Sequence, residues 1–217
     1  MKVTPPVEKS EALQAFLRCS HTKQYAAKTD IITPGDIGDT LYYILEGSLS
    51  VSMEDPEDGR ELVLAYLNKG GFIGEVGVFR GPEKRSVTVR TRTPTRLAGI
   101  SYSRLHQALK KELNVYAIDI LTMFGVELSN RLLETSRKVH HLAFLDVTGR
   151  IAGTLMDLCK EPDAMTHPDG MQIRITRQEI GRIVGCSREM AGRVLKELEE
   201  KGLLSAQGKT IVVYGTR

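Results

Sequence analysis

The spacing of apolar residues changes several times along the chain. Near the start, Val7, Leu13, Phe16 and Leu17 share one side of a helical wheel, which predicts a short amphipathic helix. Over residues 23–102 that period gives way to short runs rich in β-branched and aromatic side chains. TLYYILEGSLSVSM reads as two strand pieces around Gly47, ELVLAYL as a third, and RSVTVRTRT and TRLAGISY as two more. PGDIGD, EDPEDGR, NKGG, RGPEK and TPT separate them, all Gly, Pro, Asn or Asp turn chemistry. Strands this short and this regularly interrupted predict an antiparallel barrel or jelly roll. No GxGxxG precedes a helix, which argues against a Rossmann domain.

Residues 115–144 lack proline and contain one glycine, Gly125. Leu121, Leu128, Thr135 and Leu142 recur at heptad spacing, as do Gly125, Leu132 and Val139. Taken as d and a positions they form a coiled-coil seam. A helix of this length would run about 45 Å, more than a small domain needs for its own core, so a parallel homodimer is expected. Thr135 is out of place there, because a hydroxyl at d costs packing. Asp146 then reads as the N-cap of the next helix and marks a hinge or boundary. That helix is followed by a turn at PDAMTHPDG.

TRQEIGRIVGCSREMAGRVLKEL has helix-turn-helix spacing. Ile180, Ile183 and Val184 line one helix and Gly185-Cys186-Ser187 make the turn. Ser187 is placed to cap a second helix buried through Met190, Val194, Leu195 and Leu198. Arg188, Glu189 and Arg193 are left facing outward near the N-terminus of that helix. Each arginine can donate two bonds to guanine O6 and N7, and Glu189 can accept from cytosine N4. Arg177, Gln178 and Lys196 sit where phosphates would pass, and a strand after Gly208-Lys209 could form a wing.

Composition narrows the class. The balance of 41% hydrophobic and 26% charged residues is that of a globular protein. No apolar run approaches the roughly 20 residues of a membrane span, and the N-terminus has no signal-peptide core, so no membrane partner is expected. Three scattered cysteines, Cys19, Cys159 and Cys186, suit a reducing cytoplasm rather than a disulfide framework or a zinc site. The net charge of +3 hides an uneven distribution. Residues 1–79 hold 7 basic and 12 acidic side chains, residues 80–141 hold 12 and 5, and the remainder 11 and 10. Different faces should therefore meet different partners. Gly208-Lys209-Thr210 resembles the end of a P-loop, but Leu203 stands where its first glycine belongs. Cys186 has no histidine near it, and His140-His141 diverge around a helix. With no nucleophile–base pair, paired carboxylates or metal cluster, no enzyme activity and no metal are expected.

FIGEVGVFRGPEKRS carries the second site signal. Gly74 and Gly77 bracket Glu75, which would let a ligand approach the backbone closely. Arg85 adds a fixed positive charge and Ser86 a hydroxyl, a pairing suited to one phosphate diester. Glu75 would repel a bare phosphate but can accept from a ribose hydroxyl. Together these features describe a sugar phosphate.

From about Phe16 onward the chain resembles the cyclic AMP receptor protein (catabolite activator) family of bacterial transcription regulators. The likeness is densest in LAFLDVTGRIA, in KEPDAMTHPDGMQIRITRQEIGRIVGCSREMAGRVLKELEE and in GKTIVVYGTR. It implies an α+β chain in three parts. Residues 1–114 would form a cyclic-nucleotide-binding antiparallel β-roll, 115–145 a dimerisation helix and hinge, and 146–217 a winged helix-turn-helix for double-stranded DNA. Cyclic AMP would be the allosteric effector. Gly74 and Glu75 would hold its ribose and Arg85 and Ser86 its phosphate, with Leu64 and Ala65 on a lining strand. Arg131 would support the pocket, and Thr135 and Ser136 would meet adenine across the seam, which gives the odd Thr135 a purpose. Arg188, Glu189 and Arg193 match the family's readout residues, and a half-site like TGTGA is implied.

Two departures leave cyclic di-GMP as the alternative effector. The stretch between Arg104 and Arg131 looks about five residues longer than in the best-known member, as in a plant-pathogen branch that answers to cyclic di-GMP. Ala65 replaces a serine common in cyclic AMP binders. That branch, however, carries an acidic residue where this chain has Ser86, so cyclic AMP is the expectation; an effector-independent DNA-bending protein is a further alternative. RNA polymerase is the remaining implied partner. Its surfaces would be the loop at 164–170 with Thr166 and His167, the basic patch of His21, Lys23 and Arg104, and the acidic turn beginning at Glu54. That turn reads as four negative charges without a counter-charge.

Overall fold

The computed structural model describes residues 10–216. The chain runs α1 (Glu11–Arg18), β1 (His21–Tyr25), β2 (Asp30–Ile32), β3 (Ile37–Gly38), β4 (Thr40–Glu46), β5 (Ser48–Glu54), β6 (Glu61–Asn68) and β7 (Phe72–Ile73). There follow α2 (Glu75–Arg80), β8 (Glu83–Lys84), β9 (Thr88–Thr91), β10 (Thr95–Ser101), α3 (Tyr102–Lys110), a 3₁₀ turn (Asn114–Tyr116) and α4 (Ala117–Phe144). The C-terminal part adds α5 (Val147–Leu158), β11 (Met165–His167), β12 (Gly170–Arg174), α6 (Arg177–Val184), α7 (Arg188–Glu200), β13 (Leu204–Gln207) and β14 (Thr210–Tyr214). These divide into two compact units. One holds the residues up to Met53 together with Val63–Thr135, the other Glu54–Leu62 with the residues from Ser136 onward.

In the first unit, two four-stranded antiparallel sheets are ordered β1-β10-β4-β7 and β2-β9-β5-β6. Ile32, Ile44, Leu49, Leu67, Ile73, Val89 and Leu97 come from both sheets into one buried cluster, as the alternating strand pattern requires of a two-layer fold. A second cluster ties α1, through Leu13 and Phe16, to Phe72, Leu105, Ile120 and Phe124. Phe72 meets Phe124 edge-on at 5.0 Å between ring centroids, so the long helix is anchored to the sheets by its N-terminal half. Ser10 caps α1 by accepting from Leu13 N–H. Of the four residues expected on that helix, Val7 lies outside the described residues and Leu13, Phe16 and Leu17 pack inward.

In the second unit Asp146 accepts from Gly149 N–H at 2.7 Å and starts α5, as its position in the sequence suggested. Ile151, Leu155, Ile180, Val184, Ala191, Val194, Leu195 and Leu198 share a core with Ile173, Leu204 and Ile211 of a sheet ordered β11-β12-β14-β13. The stretch 162–170, read from sequence as a turn, instead holds β11 and the start of β12, which pair as an antiparallel hairpin. α2 and α3 are also absent from the sequence reading: α2 spans only six residues, and α3 nine, directly after β10. Among the described residues no helix is long and apolar enough to cross a membrane.

Candidate functional site

The chain turns into α2 at Gly74, whose φ of +89° is open to glycine and strained for other residues. Space excludes a side chain as well. A Cβ there would lie 2.7 Å from the Thr40 carbonyl oxygen and 3.0 Å from Arg85 Nη2. Arg85 Nη2 donates to the Thr40 carbonyl and to the Tyr102 hydroxyl, both at 3.0 Å, and that hydroxyl donates to the Gly74 carbonyl at 2.7 Å. The guanidinium lies so close over Gly38 that a Cβ on Gly38 would come within 2.0 Å of its Nε. Arg85 is thus fixed by neutral acceptors, and among the described residues no carboxylate pairs with it. A half-buried guanidinium held by neutral acceptors is a setting in which an anion could pair with it. Ser86 stands exposed beside it. Burial pushes the Tyr102 phenol up, against the pull of Arg85, so it remains a neutral donor and acceptor.

Glu75 is not at the surface; it is 1% exposed. Its Oε1 accepts from Arg131 Nη1 at 2.7 Å, while Oε2 has no partner among the described residues. Arg131 also donates to Glu127 Oε1 at 3.0 Å and to the Phe72 carbonyl. Burial pushes the Glu75 carboxyl up, and the nearby Arg131 offsets only part of that. The ion pair fastens the turn of Gly74–Glu75 to α4, and the orphaned Oε2 is an acceptor that a bound hydroxyl could satisfy. Gly77 has another role than the expected ligand approach: the Tyr102 ring fills its Cβ position, 2.3 Å from the hydroxyl oxygen. Leu64 and Ala65 lie half-buried on β6. Thr135 and Ser136 are exposed on α4, with no hydrogen bond to the pocket among the described residues. Thr40, Tyr102 and Gly38 were missed in the sequence. Tyr102 is separated from Gly74 by 28 residues, and no local motif marks their meeting.

The second site is carried by α6 and α7. Thr176 and Glu179 form a reciprocal capping box at the start of α6, and Ser187 caps α7 by accepting from Met190 N–H at 3.1 Å. A Cβ on Gly181 would lie 2.6 Å from the Cys186 carbonyl, so glycine is what lets the turn close against α6. Arg188, Glu189, Arg193 and Lys196 are exposed along α7, and Arg177 and Gln178 at the first turn of α6. Lys196 makes a loose pair with Glu200 at 3.7 Å. Its own backbone N–H and the Ser187 hydroxyl hold the Glu189 carboxyl below its ordinary range, leaving it an ionised acceptor. The strand expected after Gly208-Lys209 is β14, and it pairs with β13, which the sequence did not show, in a hairpin. Burial pushes the Cys186 thiol up, away from thiolate chemistry.

The expected polymerase-facing residues fall on three places. Thr166 is exposed on β11, and His167 Nδ1 accepts from Asp169 N–H at 3.3 Å. His21, Lys23 and Arg104 line one open groove of about 340 Å³ with Tyr25 and Tyr42, although Arg104 is tied to Glu112 at 2.9 Å. Glu54 closes β5 at the acidic turn. That turn is not without counter-charge: Arg60 Nε meets Asp58 Oδ2, two residues before it, at 2.5 Å.

Comparison with known proteins identifies both units. A model described as "Cyclic nucleotide-binding domain" matches residues 22–112, and one described as "Bacterial regulatory proteins, crp family" matches 173–204. CRP-like protein Clp of Xanthomonas euvesicatoria pv. vesicatoria is 55% identical over 205 residues, 94% of this chain and 89% of that protein. The chain belongs to the CRP family of bacterial transcription regulators. A solved CLP structure from Xanthomonas campestris, described as a c-di-GMP responsive global regulator, is 54% identical. It covers 94% of this chain and 99% of its own, with a TM-score of 0.89. A CRP/FNR-family regulator from Thermus thermophilus is 26% identical with a TM-score of 0.73, covering 89% and 93%. The CRP-family assignment agrees with the resemblance read from the sequence, and with the α+β fold.

Proposed function

We propose that this CRP-family regulator acts as a homodimer whose affinity for two-fold symmetric double-stranded DNA is set by cyclic AMP. The observation that carries the effector reading is Arg85, next to Ser86, oriented by two neutral acceptors and paired with no carboxylate among the described residues. A cyclic phosphate supplies the missing charge, and its ribose hydroxyl would satisfy Glu75 Oε2. Leu64 and Ala65 would line the base side. Dimerisation is supported by α4, where Leu132, Val139 and Leu142 of the heptad seam stand more than half exposed. The seam would bring Thr135 and Ser136 of each helix to the ligand. Arg188, Glu189 and Arg193 would read base edges, with Arg177, Gln178 and Lys196 on phosphates.

The three-part division at 114 and 145, action in the cytoplasm and contact with RNA polymerase belong to the same reading. Three free thiols among the described residues fit a reducing compartment. Thr166 and His167, the groove of His21, Lys23 and Arg104, and Glu54 would be the polymerase surfaces. A second reading, cyclic di-GMP as effector, is favoured by the likeness to Clp. Calorimetric titration of the full chain with each nucleotide separates the two. Cyclic AMP should bind wild type and fail with Ser86→Asp; saturable binding of cyclic di-GMP alone would select the second reading.

A further inference from the structure

Two unpartnered apolar features lie on either side of the effector turn. On α2, Val76 and Phe79 stand one helical turn apart, 48% and 55% exposed, while Glu75 and Val78 are buried on the other face. On α4, the a-layer of the heptad is interrupted at Gly125, where an added Cβ would meet nothing within 4 Å. The flank beside this notch is apolar in practice. Thr122 donates its hydroxyl to the Ile118 carbonyl at 2.7 Å and Ser129 donates to the Gly125 carbonyl at 2.8 Å. With their polar atoms turned onto the helix backbone, these residues join exposed Val126 in a surface that offers no free donor.

Heptad geometry says what covers them. With Gly125 at a, Phe124 and Arg131 occupy g positions and Thr122 and Ser129 occupy e positions. The β-roll is held to its own helix at g, through Phe72 on Phe124 and Glu75 on Arg131. In a parallel pair the g positions of one helix lie beside the e positions of the other, at nearly the same height. The α2 of one protomer therefore sits against the Thr122–Ser129 flank of its partner.

Resting on the dimer proposed above, we infer that Val76 and Phe79 of one protomer dock into the Gly125 notch of a second copy, so that the turn holding the effector touches the partner helix directly. The notch then has a purpose. A glycine in mid-helix weakens the helix relative to alanine, and here it leaves the space that an aromatic knob needs.

Disulfide trapping tests this on the full chain. Phe79→Cys combined with Thr122→Cys or with Ser129→Cys should give a covalent dimer on mild oxidation. Each single variant, and Phe79→Cys with Asn130→Cys on the outer face, should not. A dimer by sedimentation with no cross-link in either pair overturns the docking and leaves the dimer standing; a monomer overturns both. Gly125→Leu provides an independent readout. Filling the notch should expel Phe79 and weaken dimerisation about tenfold, a typical overpacking penalty. A plain coiled-coil layer would instead gain a leucine and tighten, which would contradict the inference.

Discussion

Arg85 is the residue on which the effector site turns. Its side chain bridges Thr40, Tyr102 and the backbone over Gly38, all neutral groups, and no carboxylate among the described residues pairs with it. Arg85→Leu should cost cyclic AMP binding about 3 kcal/mol or more, because the phosphate would be left unpaired in a partly buried place. Calorimetry showing affinity within a few-fold of wild type would contradict that role. Glu75 makes a second prediction, about pH. Its folded-state carboxyl is raised above the ordinary range, so the folded chain binds the proton more tightly than the unfolded chain. Stability from this group is present at low pH and is lost as pH rises from the ordinary carboxylate range through the raised value. Urea denaturation should therefore show wild type losing stability relative to Glu75→Gln across that interval, and parallel curves would refute the shift. Gly74, Glu75, Arg85 and Ser86 were legible in sequence because one short segment carries them. Tyr102 and Gly38 were not, since their role depends on strands that meet only in the folded chain. Gly77 was misread for the same reason: its missing side chain makes room for Tyr102.

At the scale of elements, the recognition pair α6–α7 was the most legible part of the chain. The Ser187 cap, the turn at Gly185 and the apolar spacing on both helices agree with one another, and the structure places each as expected; it adds a capping box at Thr176. The six-residue α2 and the β11–β12 hairpin were illegible because neither is long enough to establish a period. Gly181→Val tests the packing. Its side chain would meet the Cys186 carbonyl, backbone that cannot give way cheaply, so a loss of about 1–3 kcal/mol in stability is expected by thermal denaturation. On the reading face, Arg188→Ala should cost about 1–3 kcal/mol at the specific site and relax discrimination at one guanine, whereas Lys196→Ala should weaken all sequences alike. Gel-shift titrations on specific and random duplexes decide this, and equal losses for both variants would remove the assigned roles.

For the whole molecule, the sequence revealed the partition of labour through its changing period: strands, then one long heptad helix, then caps and a helix-turn-helix. It could not show how the long helix belongs to both units. Thr135 is the last residue of the first and Ser136 opens the second, so α4 runs from one compact unit into the other. An effector that meets Thr135 would bias DNA binding only by interacting differently with two states of the helix. The most direct measurement is the affinity of the purified full chain for a TGTGA-type palindromic duplex, titrated without effector, with saturating cyclic AMP and with saturating cyclic di-GMP. Cyclic AMP should raise the affinity by about tenfold or more, a coupling of roughly 1.4 kcal/mol, and cyclic di-GMP should leave it unchanged. Equal affinity with and without cyclic AMP would contradict that coupling.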